Sequence, residues 1–158
     1  MKINGSCHCG KITLTAEVDP STLNSCHCTD CQIISGGPCR TGVAAKAENI
    51  SIKGVVAEYT KVAESGRKRV LGFCDTCGTG LYGADAEKNN FVIRLGFLNQ
   101  RDDLVPIKHI YRDSAAGWLK GINSTSGLQK CLERERHISV SLWSLFATRN
   151  KSISSTEN

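Results

Sequence analysis

The sequence has few of the residues that usually fill a large hydrophobic core. Aromatic residues make up 6% of its 158 positions, and there is a single methionine. No stretch approaches the ~18 consecutive apolar residues of a membrane-spanning helix, and residues 1–5 lack the apolar segment of a signal peptide. We therefore expect one globular, cytosolic domain without a membrane anchor, whose limited packing is supplemented by metal crosslinks.

Dense positive charge is also absent. The formal net charge is +5, but lysine and arginine do not form a stripe interleaved with aromatic residues, which is the pattern of a single-stranded nucleic-acid groove. Zinc-bound thiolates would lower the net charge further. Nucleic acid is therefore not expected as a partner, and the sequence leaves the oligomeric state open.

Cysteine, in contrast, is abundant and clustered. Seven of the nine cysteines fall into three groups along the chain, namely Cys7 and Cys9, then Cys26, Cys28 and Cys31, then Cys74 and Cys77. Spacings of one or two residues, an odd total and no signal peptide indicate metal-bound thiolates in a reducing compartment, not disulfides.

The seven clustered cysteines divide naturally into four and three. A structural zinc takes four protein ligands, whereas a catalytic zinc keeps one position for water or substrate. We pair Cys7 and Cys9 with Cys74 and Cys77, because each pair is followed by a glycine. A catalytic zinc on Cys26, Cys28 and Cys31 then has an open fourth position, so we predict two zinc ions per chain.

Strand geometry supports the same division. Side chains at i and i+2 of a strand face the same way, so Cys7 and Cys9 would share a side while His8 points away, and Cys26 and Cys28 would do the same around His27. Two alternatives stay open: Cys39 or His27 closes the second site and leaves it purely structural, or Cys39 is a small, half-buried apolar residue. Cys131 is interpreted as a plain thiol.

Strand-like periodicity dominates the chain. It predicts short strands at residues 12–18, 42–45, 50–52, 58–62, 69–73, 79–82 and 91–96. Helix is predicted only as turns near residues 29–32 and 115–119. The pattern favours a mainly β, antiparallel architecture, with one domain over residues 1–130 and a C-terminal appendage of unknown role over residues 131–158.

The ligand type predicts the chemistry of the open site. Three thiolates make zinc a poor activator of water, but such a site readily accepts a fourth sulfur and keeps it as a thiolate. A small thiol held there would add to a small aldehyde without a basic side chain to deprotonate it.

Three motifs in this order resemble the glutathione-dependent formaldehyde-activating enzyme / centromere protein V family. They are Gly5-Ser6-Cys7-His8-Cys9-Gly10, Cys26-His27-Cys28-Thr29-Asp30-Cys31-Gln32 and Phe73-Cys74-Asp75-Thr76-Cys77-Gly78-Thr79, and the stretch Arg94-Leu95-Gly96-Phe97-Leu98 supports them. The resemblance spans roughly residues 3–120. Cys39 and the segment from residue 131 onward depart from the family pattern.

The resemblance implies a zinc-ribbon-related β-tent fold. It implies the same four-and-three division of zinc ligands, and condensation of glutathione with formaldehyde, the reverse of a carbon–sulfur lyase reaction. We therefore expect a carbon–sulfur lyase similar to S-hydroxymethylglutathione synthase. Competing hypotheses are a non-catalytic zinc-stabilised binding module and a thiol-based redox sensor.

Accessory roles are assigned more loosely. Basic residues near the open site would hold the carboxylates of glutathione, and polar neighbours of the ligands would orient them. The candidates are Arg40 and residues 67–69 for anion binding, His109 for proton transfer, Tyr111 and Trp118 as pocket walls, and Asp30 and Gln32 beside the last ligand.

Overall fold

A computed structural model describes residues 1–63, 66–125 and 127. Ten strands form two sheets in its first compact unit, Met1–Leu119. The three-stranded sheet has the order β1-β2-β5, and the seven-stranded sheet has the order β10-β3-β4-β9-β8-β7-β6. The strands are β1 Lys2–Ser6, β2 Thr13–Glu17, β3 Asn24–Cys26, β4 Arg40–Lys46, β5 Ile50–Lys53, β6 Ala57–Val62, β7 Lys68–Phe73, β8 Gly80–Asp85, β9 Asn90–Arg94 and β10 Lys108–Ile110.

Helix is confined to short segments. The α-helix α1 spans Thr29–Ser35, and 3-10 turns lie at Pro20–Thr22, Ala47–Asn49, Arg112–Ser114 and Gly117–Ser124. Among the described residues, none of these helical segments is long and apolar enough to cross a membrane.

The prediction of a mainly β fold of short antiparallel strands with little helix is confirmed. Each of the seven predicted strands overlaps an observed one. Three strands were missed, β1, β3 and β10, and β10 pairs with β3 in parallel instead of antiparallel. The domain boundary predicted at residue 130 and the appendage 131–158 lie outside the described residues and stay predictions.

The strand argument for the cysteine pairs is wrong. Strand β1 ends at Ser6, so Cys7 and Cys9 lie in the turn that joins β1 to β2. Strand β3 likewise ends at Cys26, and Cys28 is already the N-cap of α1. Glycine with a left-handed backbone reverses the chain after Cys9, at Gly10 with φ 78°, which extended geometry does not allow.

Two hairpins position the four cysteines that were paired as ligands of the structural zinc. Ser6 pairs with Thr13 at the end of the β1–β2 hairpin, and Phe73 pairs with Gly80 at the end of the β7–β8 hairpin. Their connections, residues 7–12 and 74–79, carry one cysteine pair each. Because the hairpins belong to different sheets, contact between their tips joins the two sheets.

The apolar interior consists of two clusters. One contains Leu14, Leu23, Val43 and Ile93 and fills the space between the sheets. The other contains Ile12, Leu81 and Phe91 together with Cys7 and Cys74, each of which is 1% exposed. One cysteine of each hairpin tip is therefore part of the core, whereas Cys9 is exposed and Cys77 is half-buried.

Candidate metal centres

Four cysteine sulfurs meet between the two hairpin tips. The Sγ atoms of Cys7, Cys9, Cys74 and Cys77, here called the four-thiol group, all lie within 4.8 Å of one another. Cys7 and Cys9 are separated by 3.5 Å between sulfurs, and Cys9 and Cys74 by 3.7 Å. Two thiolates on one tetrahedral zinc are about 3.8 Å apart when each Zn–S bond is about 2.3 Å. The group therefore fits a zinc ion.

The two hairpin tips have the same backbone design. The N–H of Gly10 donates to the carbonyl of Cys7 at 2.9 Å, and the N–H of Gly78 donates to the carbonyl of Cys74 at 2.8 Å. Both glycines have a positive φ, 78° and 70°. The N–H of Ile12 also donates to the Cys7 sulfur at 3.2 Å. These reversed turns place two sulfurs of each tip on the same side.

A threonine joins the two tips at their polar edge. The Thr79 hydroxyl lies 3.2 Å from the Cys77 sulfur and accepts the backbone N–H of His8 at 3.1 Å. This hydroxyl and the Thr79 backbone lower the pKa of Cys77 to about 5. Although the Lys11 backbone opposes it, burial and the other sulfurs raise the pKa of Cys9 to about 11. A bound divalent cation would remove this conflict, because it would stabilise every member as a thiolate.

A second group of sulfurs lies where β3 ends and α1 begins. The Sγ atoms of Cys26, Cys28 and Cys31, here called the three-thiol group, lie within 4.8 Å of one another. Cys26 is the last residue of β3, Cys28 is the N-cap of α1 and Cys31 is in its first turn. The sulfurs of Cys26 and Cys28 are 3.5 Å apart, close to the edge of a zinc–thiolate tetrahedron.

The three-thiol group also has unequal thiols. Burial raises the pKa of Cys31 to about 12, and the sulfurs of Cys26 and Cys28 add to this effect. Burial opposes ionisation of Cys28 as well, but hydrogen bonds from Cys31 and Cys26 lower its pKa. The Arg40 cation favours the thiolate at both Cys28 and Cys31. The donor set again fits a cation that removes the thiol protons.

Gln32 holds the backbone between the ligands of the three-thiol group. Its amide Nε2 donates to the carbonyl of His27 and to the carbonyl of Ser114, both at 2.7 Å. This side chain therefore fixes the start of α1 against β3 and the segment after β10. Asp30 instead points away to an ion pair with Lys61.

Cys39 and the histidines, which are the alternative fourth ligands, lie outside both sulfur groups in the described residues. His27 is 5% exposed, and its Nε2 is 2.8 Å from Nδ1 of His109, whose ring stacks on it. The Cys39 sulfur lies 3.9 Å from the Thr41 hydroxyl. Within residues 1–63, 66–125 and 127, neither Cys39 nor a histidine belongs to either sulfur group. Cys131 lies outside the described residues.

Other sequence candidates are placed on the surface. Tyr111 and Trp118 are 65% and 60% exposed, so they do not pack in the core. His109 is exposed apart from its contact with His27. Residues 67–69 lead into the outer part of β7 and are exposed.

A cleft of about 900 Å³ extends from the four-thiol group to the start of β4. Cys7 and Thr79 line it at the hairpin tips, and Arg40 and Arg94 line it from β4 and β9. Arg94 is 9% exposed, and burial, followed by the charge of Arg40, lowers its pKa to about 10. Sequence reasoning missed Arg94 as a site residue, although a lone charge in the apolar run of residues 91–96 was a signal.

Comparisons with known proteins place these features in a family. Residues 2–114 match the family model described as glutathione-dependent formaldehyde-activating enzyme. A Schizosaccharomyces pombe protein named as an uncharacterized lyase is 31% identical over 86 residues, which are 54% of this chain and 60% of that relative. The chain therefore spans less than two thirds of that relative's length.

A solved structure supports the fold. The crystal structure of a Rhodobacter sphaeroides protein superposes with a TM-score of 0.54 at 18% identity, covering 67% of this chain and 98% of the other. At this identity the likeness concerns the fold alone. The family model covers most of the chain and includes both sulfur groups, so the protein belongs to the glutathione-dependent formaldehyde-activating enzyme family.

Proposed function

We propose that this protein is a zinc-dependent carbon–sulfur lyase that holds a small, glutathione-like thiol and adds it reversibly to a small aldehyde such as formaldehyde. One observation carries the proposal: among the described residues, three sulfurs meet in the three-thiol group, whereas four meet in the four-thiol group. A three-ligand zinc site is typical of catalysis and a four-ligand site of structure. The family description and the relative named as a lyase support this reading.

The reaction needs a deprotonated sulfur near a carbonyl carbon. Zinc held by three thiolates would supply a fourth position that accepts an outside sulfur and favours its thiolate at neutral pH. The substrate sulfur then forms a bond to the aldehyde carbon, the C=O π bond breaks, and the oxygen takes up the proton that the thiol gave up. The reverse reaction releases the same thiol and aldehyde.

The chain's own residues would divide the remaining work. Cys26, Cys28 and Cys31 would hold the catalytic metal, and Gln32 keeps their backbone in place through its two hydrogen bonds. Arg40, directly opposite Cys26 on the neighbouring strand, adds positive charge that favours thiolates in this group. Cys7, Cys9, Cys74 and Cys77 would hold a structural zinc that joins the sheets. The cytosolic location stays a prediction.

Metal analysis combined with thiol binding tests the proposal. Purified protein is expected to contain two zinc ions per chain. After cobalt substitution, addition of glutathione should change the sulfur-to-cobalt charge-transfer absorption, because a new thiolate joins the metal. Exchange NMR of a glutathione and formaldehyde mixture should show faster interconversion with S-hydroxymethylglutathione when the protein is present.

Two cysteine variants provide the controls. Cys31→Ser should lose one zinc, the glutathione-dependent absorption and the exchange activity, while circular dichroism shows that the fold is kept. Cys39→Ser should behave as the unmodified protein. If the two-zinc protein binds no thiol, or if Cys39→Ser removes the second metal, the proposed function is wrong.

A further inference from the structure

Arg94 is a buried charge that makes no ion pair with a carboxylate among the described residues, and the charge of the Cys31 sulfur is the opposite charge near it. Arg94 is 9% exposed, and its Nε atom has no hydrogen-bond partner. In residues 1–63, 66–125 and 127, the ion pairs join Lys61 to Asp30 and Lys88 to Glu58, so none includes Arg94. A buried N–H without an acceptor is costly, and an acceptor from outside the chain would satisfy it.

A second arginine lies on the same face of the sheet. Arg94 is opposite Gly42 on β4, and Arg40 is two residues before Gly42 on that strand. Residues two apart on a strand share a face, so the two arginines are diagonal neighbours, about 7–8 Å apart at the backbone. Two nearby cations repel each other, and an anion bound between them would offset this repulsion.

The arginine pair adjoins the three-thiol group. Arg40 is directly opposite Cys26 in the β3–β4 pairing, so the sulfur-bearing position shares the face of both arginines. The Nη1 atom of Arg40 lies 3.2 Å from the Cβ position of Gly83 on β8. A side chain at Gly83 would crowd this guanidinium, so the glycine leaves room for it to extend over β8.

Both arginines line the cleft of about 900 Å³, as does the exposed Arg101. A single acidic side chain, the exposed Asp102, lines it with them. The cleft therefore offers more guanidinium groups than carboxylates, and it is open to solvent at Arg101. Guanidinium groups bind carboxylates through paired, charge-assisted hydrogen bonds.

From this juxtaposition we infer that Arg40 and Arg94 form a carboxylate-binding subsite beside the three-thiol group, and that this subsite, not the metal, determines which thiols bind. The inference rests on the proposed function for its thiol, but the carboxylate contact itself requires no sulfur. A metal-bound sulfur has little means of distinguishing one alkyl thiol from another. Guanidinium groups placed nearby favour a thiol that carries a carboxylate.

The first experiment measures the carboxylate contact without thiol chemistry. S-methylglutathione keeps the carboxylates of glutathione but has no free thiol. Titrated into two-zinc protein with 15N-labelled arginine, it should shift the Nε–H resonance of Arg94. Arg40→Gln should reduce the affinity about tenfold or more, as expected for loss of a charge-assisted hydrogen bond. Lys53→Gln, which removes one charge from an exposed position at the end of β5, should leave the affinity unchanged.

The second experiment measures thiol selection. In cobalt-substituted protein, 3-mercaptopropionate should bind about tenfold or more tightly than 2-mercaptoethanol. The ratio should fall to near unity in Arg40→Gln and in Arg94→Gln. Because the buried Arg94 variant risks misfolding, Arg40→Gln, at a half-buried position, keeps the test valid if Arg94→Gln fails to fold.

The outcomes separate the two proposals. Equal binding of both thiols by unmodified protein overturns the carboxylate subsite and leaves the proposed function standing. An Arg94 resonance that does not respond to S-methylglutathione also overturns the subsite. A shifted Arg94 resonance with no binding of either thiol supports the subsite and overturns the proposed function.

Discussion

At the scale of single residues, cysteines of similar exposure have different roles. Cys77 and Cys39 are both half-buried thiols beside a threonine hydroxyl. Cys77 belongs to the four-thiol group, whereas Cys39 belongs to neither described group. We therefore expect a metal ion to depend on the Cys77 sulfur and not on the Cys39 sulfur.

The matched variants Cys77→Ser and Cys39→Ser test this difference. Cys77→Ser should lower the free energy of unfolding by more than about 3 kcal/mol, because loss of a structural metal ranks among the most destabilising single changes. Cys39→Ser should change it by less than about 1 kcal/mol. Denaturant unfolding with zinc analysis of the folded fraction measures both. Equal effects would contradict a structural zinc at the hairpin tips.

At the scale of elements, the hairpin tips depend on glycine backbone geometry. Gly78 has a φ of 70° with open space around its Cβ position, while Gly80 also has open space but no positive φ. An added methyl group therefore costs only backbone strain at Gly78, and nothing comparable at Gly80. Because neither position is crowded, comparing the two alanine variants isolates the effect of backbone strain.

We expect Gly78→Ala to lower the free energy of unfolding by about 1–2 kcal/mol, the cost of a left-handed backbone for a residue with a side chain. It should also weaken zinc binding at the four-thiol group. Gly80→Ala should be neutral or slightly stabilising. Thermal unfolding and competition with a zinc indicator give the two readouts. A larger loss in the free energy of unfolding for Gly80→Ala than for Gly78→Ala would show that the turn at Gly78 is not the strained element.

A polar contact across three strands makes stability depend on pH. The Tyr82 hydroxyl on β8 donates to Glu58 on β6 at 2.7 Å, and Lys88 donates to the same carboxylate at 2.6 Å. Lys88 first, and Tyr82 after it, lower the pKa of Glu58, while burial and Glu58 raise the pKa of Tyr82. A lowered carboxyl pKa adds stability above the ordinary glutamate pKa of about 4.3.

This stability should be lost as the pH falls below about 4, through the lowered pKa of Glu58 in the folded protein. Glu58→Gln should therefore make the free energy of unfolding depend less on pH in this acidic range. It should lower the free energy of unfolding mainly at neutral pH. Urea unfolding between about pH 3 and 7 measures the change. Glu48→Gln, in the exposed turn Ala47–Asn49, is the control and should keep the original pH dependence.

At the scale of the whole molecule, the two sulfur groups have different structural consequences. The four-thiol group joins hairpins from both sheets and shares the second apolar cluster. The three-thiol group connects one strand end to one short helix. We therefore expect loss of metal from the four-thiol group to affect the whole domain, and loss of metal from the three-thiol group to affect one corner of it.

Chelation should consequently proceed in two steps. A chelator should remove zinc first from the three-thiol group, which has three protein ligands, with little change in circular dichroism. Removal of the second zinc should coincide with unfolding. Indicator absorbance and circular dichroism followed together measure the order. Unfolding during the first step would show that the metal of the three-thiol group, and not only that of the four-thiol group, holds the fold together.

Much of the fold and of the metal centres was predictable, for local reasons. Alternation and turn residues locate strands such as β6 and β7, because side-chain period and turn chemistry act over a few residues. Strand β10, three residues long and exposed, carries no such pattern, because its pairing with β3 is supplied by a distant partner. The structure brings together the same cysteines that the sequence grouped, although the strand geometry was wrong, because their spacing restricts the sulfurs under either backbone. Their role as zinc ligands stays a prediction.

The sequence by itself determined the donor chemistry: seven clustered thiols, a lean core for which metal support is expected, and a mainly β chain in this enzyme family. Only the tertiary structure decided what surrounds those thiols. It placed Arg40 opposite Cys26 and buried Arg94 beside them, and it turned His27 toward His109. Such neighbours depend on register between strands that lie far apart in the chain, and register is set by packing of the whole sheet and not by any local run of residues.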